Sequence, residues 1–175
     1  MIRAYLGLGA NLGDRRGTLE HAIFLLSQRP GIRPLRISSL YETEPVDVAG
    51  GWFLNCVVEI ETSLAPQQLL EGILQVEETC GRARKREPGG ARVVDIDLLL
   101  YGSEIVAEPD LHVPHPRMHL RRFVLMPLAE LSAGLRHPGL GVHVGDLLAK
   151  LPRAPEVRMV ARDWLSVPIR GSGVS

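Results

Sequence analysis

Residues 93–101 read VVDIDLLLY, an aliphatic run interrupted only by Asp95 and Asp97. Its β-branched and aliphatic content predicts a strand over 93–100. Side chains alternate along a strand, so the two aspartates share one face with Val93 and Leu99, while Val94, Ile96 and Leu98 fill the other. Carboxylates about 6 to 7 Å apart on a partly buried face repel each other unless a cation lies between them. Mg²⁺, a hard ion that seeks oxygen, is the natural cation. Just upstream, Arg82, Arg84, Lys85, Arg86 and Arg92 sit on a loop broken by Gly and Pro. A metal-binding carboxylate pair beside arginine forks suits a polyphosphate, because the metal bridges phosphate oxygens and the guanidinium groups take the remaining charge. The plain alternative is a solvated strand face beside a solvated loop. Val93 and Leu99, which set the carboxylates in an apolar surround, favour the site.

The chain of 175 residues is 45% hydrophobic, enough for one domain with its own core. Twenty Lys and Arg balance twenty Asp and Glu, so no global field draws the protein to nucleic acid or to an anionic membrane. The two cysteines, Cys56 and Cys80, lie in apolar surroundings without C-x-x-C spacing, as buried thiols of a reducing compartment do. No apolar run reaches membrane-spanning length and the N-terminus lacks signal-peptide order, so a cytoplasmic protein is expected.

Residues 2–8 read as a first strand, followed by the turn GLGANLGD at 7–14. The spacing is not G-x-G-x-x-G, which argues against a dinucleotide fold; Asp14 or Thr18 caps a helix instead. Leu19, Ala22, Ile23 and Leu26 form its apolar face and Pro30-Gly31 ends it. A second strand is expected over 32–42, with Leu35, Ile37, Ser39 and Tyr41 on one face. Residues 43–52 read as a mobile loop. Over 53–61, Leu54, Cys56, Val58 and Ile60 face one way, and Phe53, Asn55, Val57, Glu59 and Glu61 the other. Ser63 and Pro66 mark a second helix with Leu69, Ile73, Val76 and Cys80 inward and Gly81 as its stop. The order is then that of an α+β, ferredoxin-like β-α-β-β-α-β sheet: both helices on one face, the other face free, and an α/β extension at the C-terminus. Further expectations are a short arm after Gly102, helices at 128–131 and 144–151, and an edge strand or coil at 157–165. A zinc site at His112, His115 and His119 is disfavoured by Pro114 and Pro116, which break any common helix face.

Seven short motifs follow one another in order: L-G-x-N-L-G-D at 8–14, Y-x-T-x-P at 41–45, F-L-N at 53–55, E-x3-G-R-x-R at 77–84, R-x-x-D-I-D-L-L-L-Y-G at 92–102, V-P-H-P-R-M at 113–118 and R-x-F-V-L-x-P-L at 121–128. Each alone is weak. Together, over 5–146, they resemble the 6-hydroxymethyl-7,8-dihydropterin pyrophosphokinases of the folate pathway. The resemblance implies a single pyrophosphokinase domain over 1–165 with a disordered tail at 166–175. It implies transfer of the β,γ-diphosphate of ATP to the pterin hydroxymethyl group with release of AMP, on a ferredoxin-like fold with two Mg²⁺ ions. It makes Asp95 and Asp97 the metal ligands, with Asp95 also close to the pterin. Arg82 and Arg92 would hold the phosphates and Arg84 would belong to a closing loop. His115 and Arg121 would line the ATP phosphates, with Glu77 towards the nucleotide. Thr43, Pro45, Phe53, Asn55 and Phe123 would hold the pterin. A bicyclic ring suits two aromatic faces, and Asn55 offers both a donor and an acceptor.

Where many family members carry R-W-G-P-R before the D-x-D, this chain has Pro88-Gly89-Gly90-Ala91-Arg92, and Asp47-Val48-Ala49 replaces a Gly-Pro start in the other loop. Both changes fall in loops, so altered kinetics with retained chemistry are expected. The expected partners are ATP and the pterin, with no nucleic acid or membrane, and the expected state is a monomer. Two rival readings fit the chain less well. A single-stranded RNA module would need exposed aromatics, and Phe, Trp and Tyr make up only 5%. A conventional kinase releasing ADP would need motifs such as G-x-x-x-x-G-K-[ST], which are absent.

Overall fold

Strand β1 (Ile2–Ala10) buries Ala4, Leu6, Leu8 and Ala10 on one side, and the sheet grows outward from it. The computed structural model describes residues 1–45, 51–81 and 93–166. After β1 come α1 (Arg15–Gln28), β2 (Ile32–Ile37), β3 (Leu40–Thr43), β4 (Phe53–Thr62), α2 (Pro66–Gly81) and β5 (Asp95–Tyr101). A hairpin arm of β6 (Val106–Glu108) and β7 (Leu111–Val113) leads to α3 (Arg122–Ser132), α4 (Val144–Lys150) and β8 (Val157–Ala161). The main sheet has the order β5-β1-β4-β3-β8, with β2 paired to the far half of β4, and every ladder is antiparallel. With β2 and β3 counted as one broken strand, this is the expected β-α-β-β-α-β order.

Local chemistry places the first two helices. Asp14 is the cap of α1, its Oδ1 accepting the Gly17 N–H at 3.0 Å. Pro66 opens α2, where a missing N–H costs nothing, and Gln68 Oε1 accepts the Ala65 N–H at 3.0 Å. Leu19, Ile23 and Leu26 of α1 and Leu69, Ile73 and Val76 of α2 pack with Leu6, Leu54, Cys56, Val58, Ile60, Ile96 and Leu98 in one core. Burial of each such aliphatic side chain contributes about 1.5–3 kcal/mol. Cys56 is buried, whereas Cys80 is half-buried.

Several expectations need correction. β1 continues to Ala10, two residues beyond the expected 2–8, because β4 and β5 pair with it as far as Ala10 and Gly9. β5 begins at Asp95 rather than Val93. The single strand expected over 32–42 breaks at Ser38-Ser39. There Ser38 Oγ accepts the Val57 N–H at 2.9 Å and donates to Ser39 O at 2.8 Å, so a side chain stands in for a ladder bond. A register shift between Pro34 and Arg36 removes the common face expected for Leu35, Ile37, Ser39 and Tyr41. The helix expected at 128–131 starts at Arg122 and runs through Pro127. Proline reads as a breaker in sequence, but burial of Val124, Leu125 and Leu128 outweighs the lost bond.

The largest correction concerns the second face of the sheet, expected to be free. Val124, Leu125 and Leu128 of α3 and Val144 and Leu147 of α4 form a second core with Tyr5, Val57, Leu99 and Met118. Among the described residues, that core does not include Gly9, Asn55 or Asp95 at the other end of the face. Leu125→Ala should therefore cost about 2–5 kcal/mol, as a buried leucine does. Chemical denaturation measures it, and a free face would give a change near zero.

Candidate active site

Strand register builds that end of the face row by row. Gly9 pairs with Asp95 on one side and Asn55 on the other; one step along, Gly7 pairs with Asp97 and Val57. Tyr41 pairs with Asn55 and Thr43 with Phe53. Paired residues project to the same side. Asp95, Asp97, Asn55, Phe53 and Thr43 therefore share one surface, and Pro45 follows β3 by one intervening residue.

Between the aspartates and Asn55, β1 presents only glycine. A Cβ at Gly9 would lie 2.9 Å from Asn55 Oδ1, and one at Gly7 would lie 3.4 Å from the Leu99 methyl groups. The floor is bare backbone, which a flat ligand can approach closely. In the sequence Gly7 falls where the strand at 2–8 meets the turn at 7–14 and Gly9 falls in the turn alone, so this role was missed. The signal was their i, i+2 spacing inside an apolar run. Beside the floor, Asn55 Nδ2 donates to Thr43 Oγ1 at 2.6 Å, which orients the amide, and both residues are buried.

The arm and α3 supply the opposite wall. The His115 N–H donates to Leu99 O at 2.9 Å, tying the segment after the cis Val113-Pro114 bond to β5. His115 Nδ1 accepts the Arg117 N–H at 3.2 Å, which assigns the ring proton to Nε2. Burial holds the His115 pKa below its ordinary value; Asp97 opposes that shift, while Arg121 and Arg117 add to it. The Arg121 guanidinium carbon lies 5.6 Å from the centre of the Phe123 ring, a cation–π contact at the start of α3. Among the described residues no Lys or Arg forms an ion pair with Asp97.

Other predicted residues lie elsewhere. Glu77 is buried near the end of α2, in the helix layer on the far side of the sheet. Because β5 is an edge strand, that layer meets the groove only around the β5 edge. Arg82, Arg84 and Arg92, and the expected closure of the 82–92 loop, fall outside the described residues, as do 46–50 of the other loop. His112, His115 and His119 do not gather: His119 packs against His137, with ring centroids 6.0 Å apart. No group of three metal-ligating side chains occurs among the described residues. No described helix is long and apolar enough to cross a membrane. A separate open cavity of about 440 Å³, bounded by Ser38, Ser39, Glu130 and Trp164, shares none of the predicted site residues.

Residues 5–133 match the family described as 7,8-dihydro-6-hydroxymethylpterin-pyrophosphokinase. The chain belongs to that family. It is 45% identical over 152 residues to the 2-amino-4-hydroxy-6-hydroxymethyldihydropteridine pyrophosphokinase of Methylorubrum extorquens, covering 86% of this chain and 94% of the relative. The Bacillus subtilis pyrophosphokinase is 46% identical over 129 residues, covering 73% and 77%. In fold, the chain resembles the crystal structure of wild-type Plasmodium falciparum HPPK-DHPS, with a TM-score of 0.70 at 16% identity over 85% of this chain and 44% of that one. At that identity the likeness speaks for the fold alone.

The chain should show a His115 ring that titrates below the ordinary histidine range near 6.5. NMR titration checks this. Asp97→Asn, which removes the opposing carboxylate, should lower the midpoint further, and Arg121→Gln should raise it.

Proposed function

We infer that the chain transfers diphosphate from ATP to the hydroxymethyl group of 6-hydroxymethyl-7,8-dihydropterin, releasing AMP, in folate biosynthesis. One observation carries the reading at the level of the site. Asp95, Asp97 and Asn55 converge on one face across a strand that offers only Gly7 and Gly9 between them. A flat ring fits on that shelf, with Phe53 and Phe123 as its aromatic walls and Asn55, steadied by Thr43, pairing its polar edge. Pro45 borders the same end.

Asp95 and Asp97 have the chemistry of a magnesium site. Mg²⁺ commonly takes one or two carboxylates and completes its shell with water and phosphate oxygens, so a pair is sufficient. Bound there, Mg²⁺, expected as two ions, would offset charge on the phosphate oxygens of ATP. His115 offers a neutral ring with Nε2–H as a donor along the phosphates, and Arg121 is held ready over Phe123. We assign Arg82 and Arg92 to the phosphates, Arg84 to the closing loop and Glu77 to the nucleotide, following the family resemblance. The hydroxymethyl oxygen then attacks the β-phosphorus in line, the bond to the α-phosphate oxygen breaks, and AMP leaves. Residues 1–165 act as one domain. The expected state is a monomer, and the free, buried Cys56 supports a reducing cytoplasm.

The test is a product assay with MgATP and the pterin, separating AMP from ADP. Pterin-dependent AMP is expected, and Asp97→Asn should lower kcat/KM by about 10²-fold or more. ADP instead of AMP would overturn the reading. Gly9→Ala, which places a methyl group against Asn55, should raise the KM for pterin while that for ATP stays unchanged; steady-state kinetics in both substrates measures the split.

A further inference from the structure

The C-terminal strand lies outside the family match, which ends at residue 133, yet it borders the groove. β3 joins β4 by only three residue pairs, Tyr41 to Asn55, Glu42 to Leu54 and Thr43 to Phe53. Three of those residues line the groove. A strand so short is weak as a sheet edge, and β8 covers it, pairing Leu40, Tyr41, Glu42 and Thr43 with Ala161, Met159, Arg158 and Val157. The ladder extends past β3: the Glu44 N–H donates to Glu156 O at 3.0 Å, and the Glu156 N–H donates to Glu44 Oε2 at 3.3 Å.

Arg158 adds a second connection. Its Nη2 donates to Glu42 Oε2 at 3.0 Å, and its guanidinium carbon lies 4.6 Å from the centre of the Trp52 ring. Arg15 at the start of α1 donates to Glu42 Oε1 at 3.2 Å and to the Trp52 carbonyl oxygen. Hydrogen bonding from Arg158 and, more weakly, from Arg15 holds the Glu42 carboxyl below the usual carboxylate range, against the opposing effect of burial. Trp52 is thus held by its ring from β8 and by its carbonyl from α1. The next residue is Phe53, the first of β4, and successive strand residues point to opposite faces. Glu42 pairs with Leu54, which belongs to the helix-side core, so Arg158 and Glu42 hold Trp52 where the chain enters β4 at Phe53.

We propose that β8 is a positioning element of the pterin side of the groove, and that Arg158, through Trp52 and Glu42, is its positioning residue. Arg158 touches no reacting group. It sets the place of Phe53, Thr43 and Asn55 from behind the sheet. The proposal rests on the pyrophosphokinase reading of the groove.

The test is steady-state kinetics in both substrates on the full chain. Wild-type protein is assayed first, and failure to form pterin-dependent AMP would sink the reading of the groove rather than the role of β8. With that activity in hand, Arg158→Ala should raise the KM for pterin about three- to tenfold, the loss of one exposed cation–π contact and one ion pair, with kcat and the KM for ATP unchanged. Arg158→Lys, which keeps a cation for the ring and for Glu42, should recover most of that change. Val160→Thr, on the exposed part of the same strand, should leave both constants as they are. An unchanged pterin KM in Arg158→Ala overturns the proposal. So do equal rises in both KM values, which would mean a general loss of structure.

Discussion

On one side of β1, the side chains of Ala4, Leu6, Leu8 and Ala10 are buried against the helices; on the other, Gly7 and Gly9 have none. This alternation is the constraint on which the rest depends. The inward residues hold β1 in the middle of the sheet, and the strands on either side inherit its register. Asp95, Asp97 and Asn55 then face the same side as the glycines. A one-residue slip of β5 would turn both aspartates into the apolar core, where unpaired carboxylates are strongly disfavoured, and would turn Ile96 and Leu98 outward.

The second face divides according to what covers it. From Tyr5, Val57 and Leu99 onward it is core, roofed by α3 and α4. Beyond that cluster Glu59 is fully buried yet paired with both Arg3 and Arg36, as a buried carboxylate must be. Phe123, in the first turn of α3, packs at the margin of that cluster, with the guanidinium of the capping residue Arg121 over its ring. Among the described residues, that second core stops short of Gly9, Asn55 and Asp95. Bonding of His115 to Leu99 sets the wall at that boundary, next to Asp97.

Much of this was legible in the chain. The D-x-D on a strand, the facing of Phe53 and Asn55, both early helices, with Asp14 among the candidate caps of the first and Pro66 at the start of the second, and the β-α-β-β-α-β order follow from period and turn chemistry within single segments. What was not legible involved competition between distant segments. Pro127 reads as a helix boundary until the burial of α3 against β4 is known. The break at Ser38-Ser39 depends on Val57, nineteen positions away along the chain. Gly9 reads as part of a turn, and Gly7 as its junction with the strand, because glycine weakens an isolated strand, and only pairing on both sides makes β1 continuous through them.

The sequence by itself determined which face the residues of β4 and of 95–99 take, because side-chain alternation is a property of the local backbone wherever no bulge interrupts it. It also carried the family, since the seven motifs lie in order along the chain. Tertiary structure alone decided that half of the second face is core, that two glycines form the floor, and that a C-terminal strand outside the family match braces the rim through Arg158 and Trp52. Those outcomes depend on which distant surfaces bury one another. No local period records that choice.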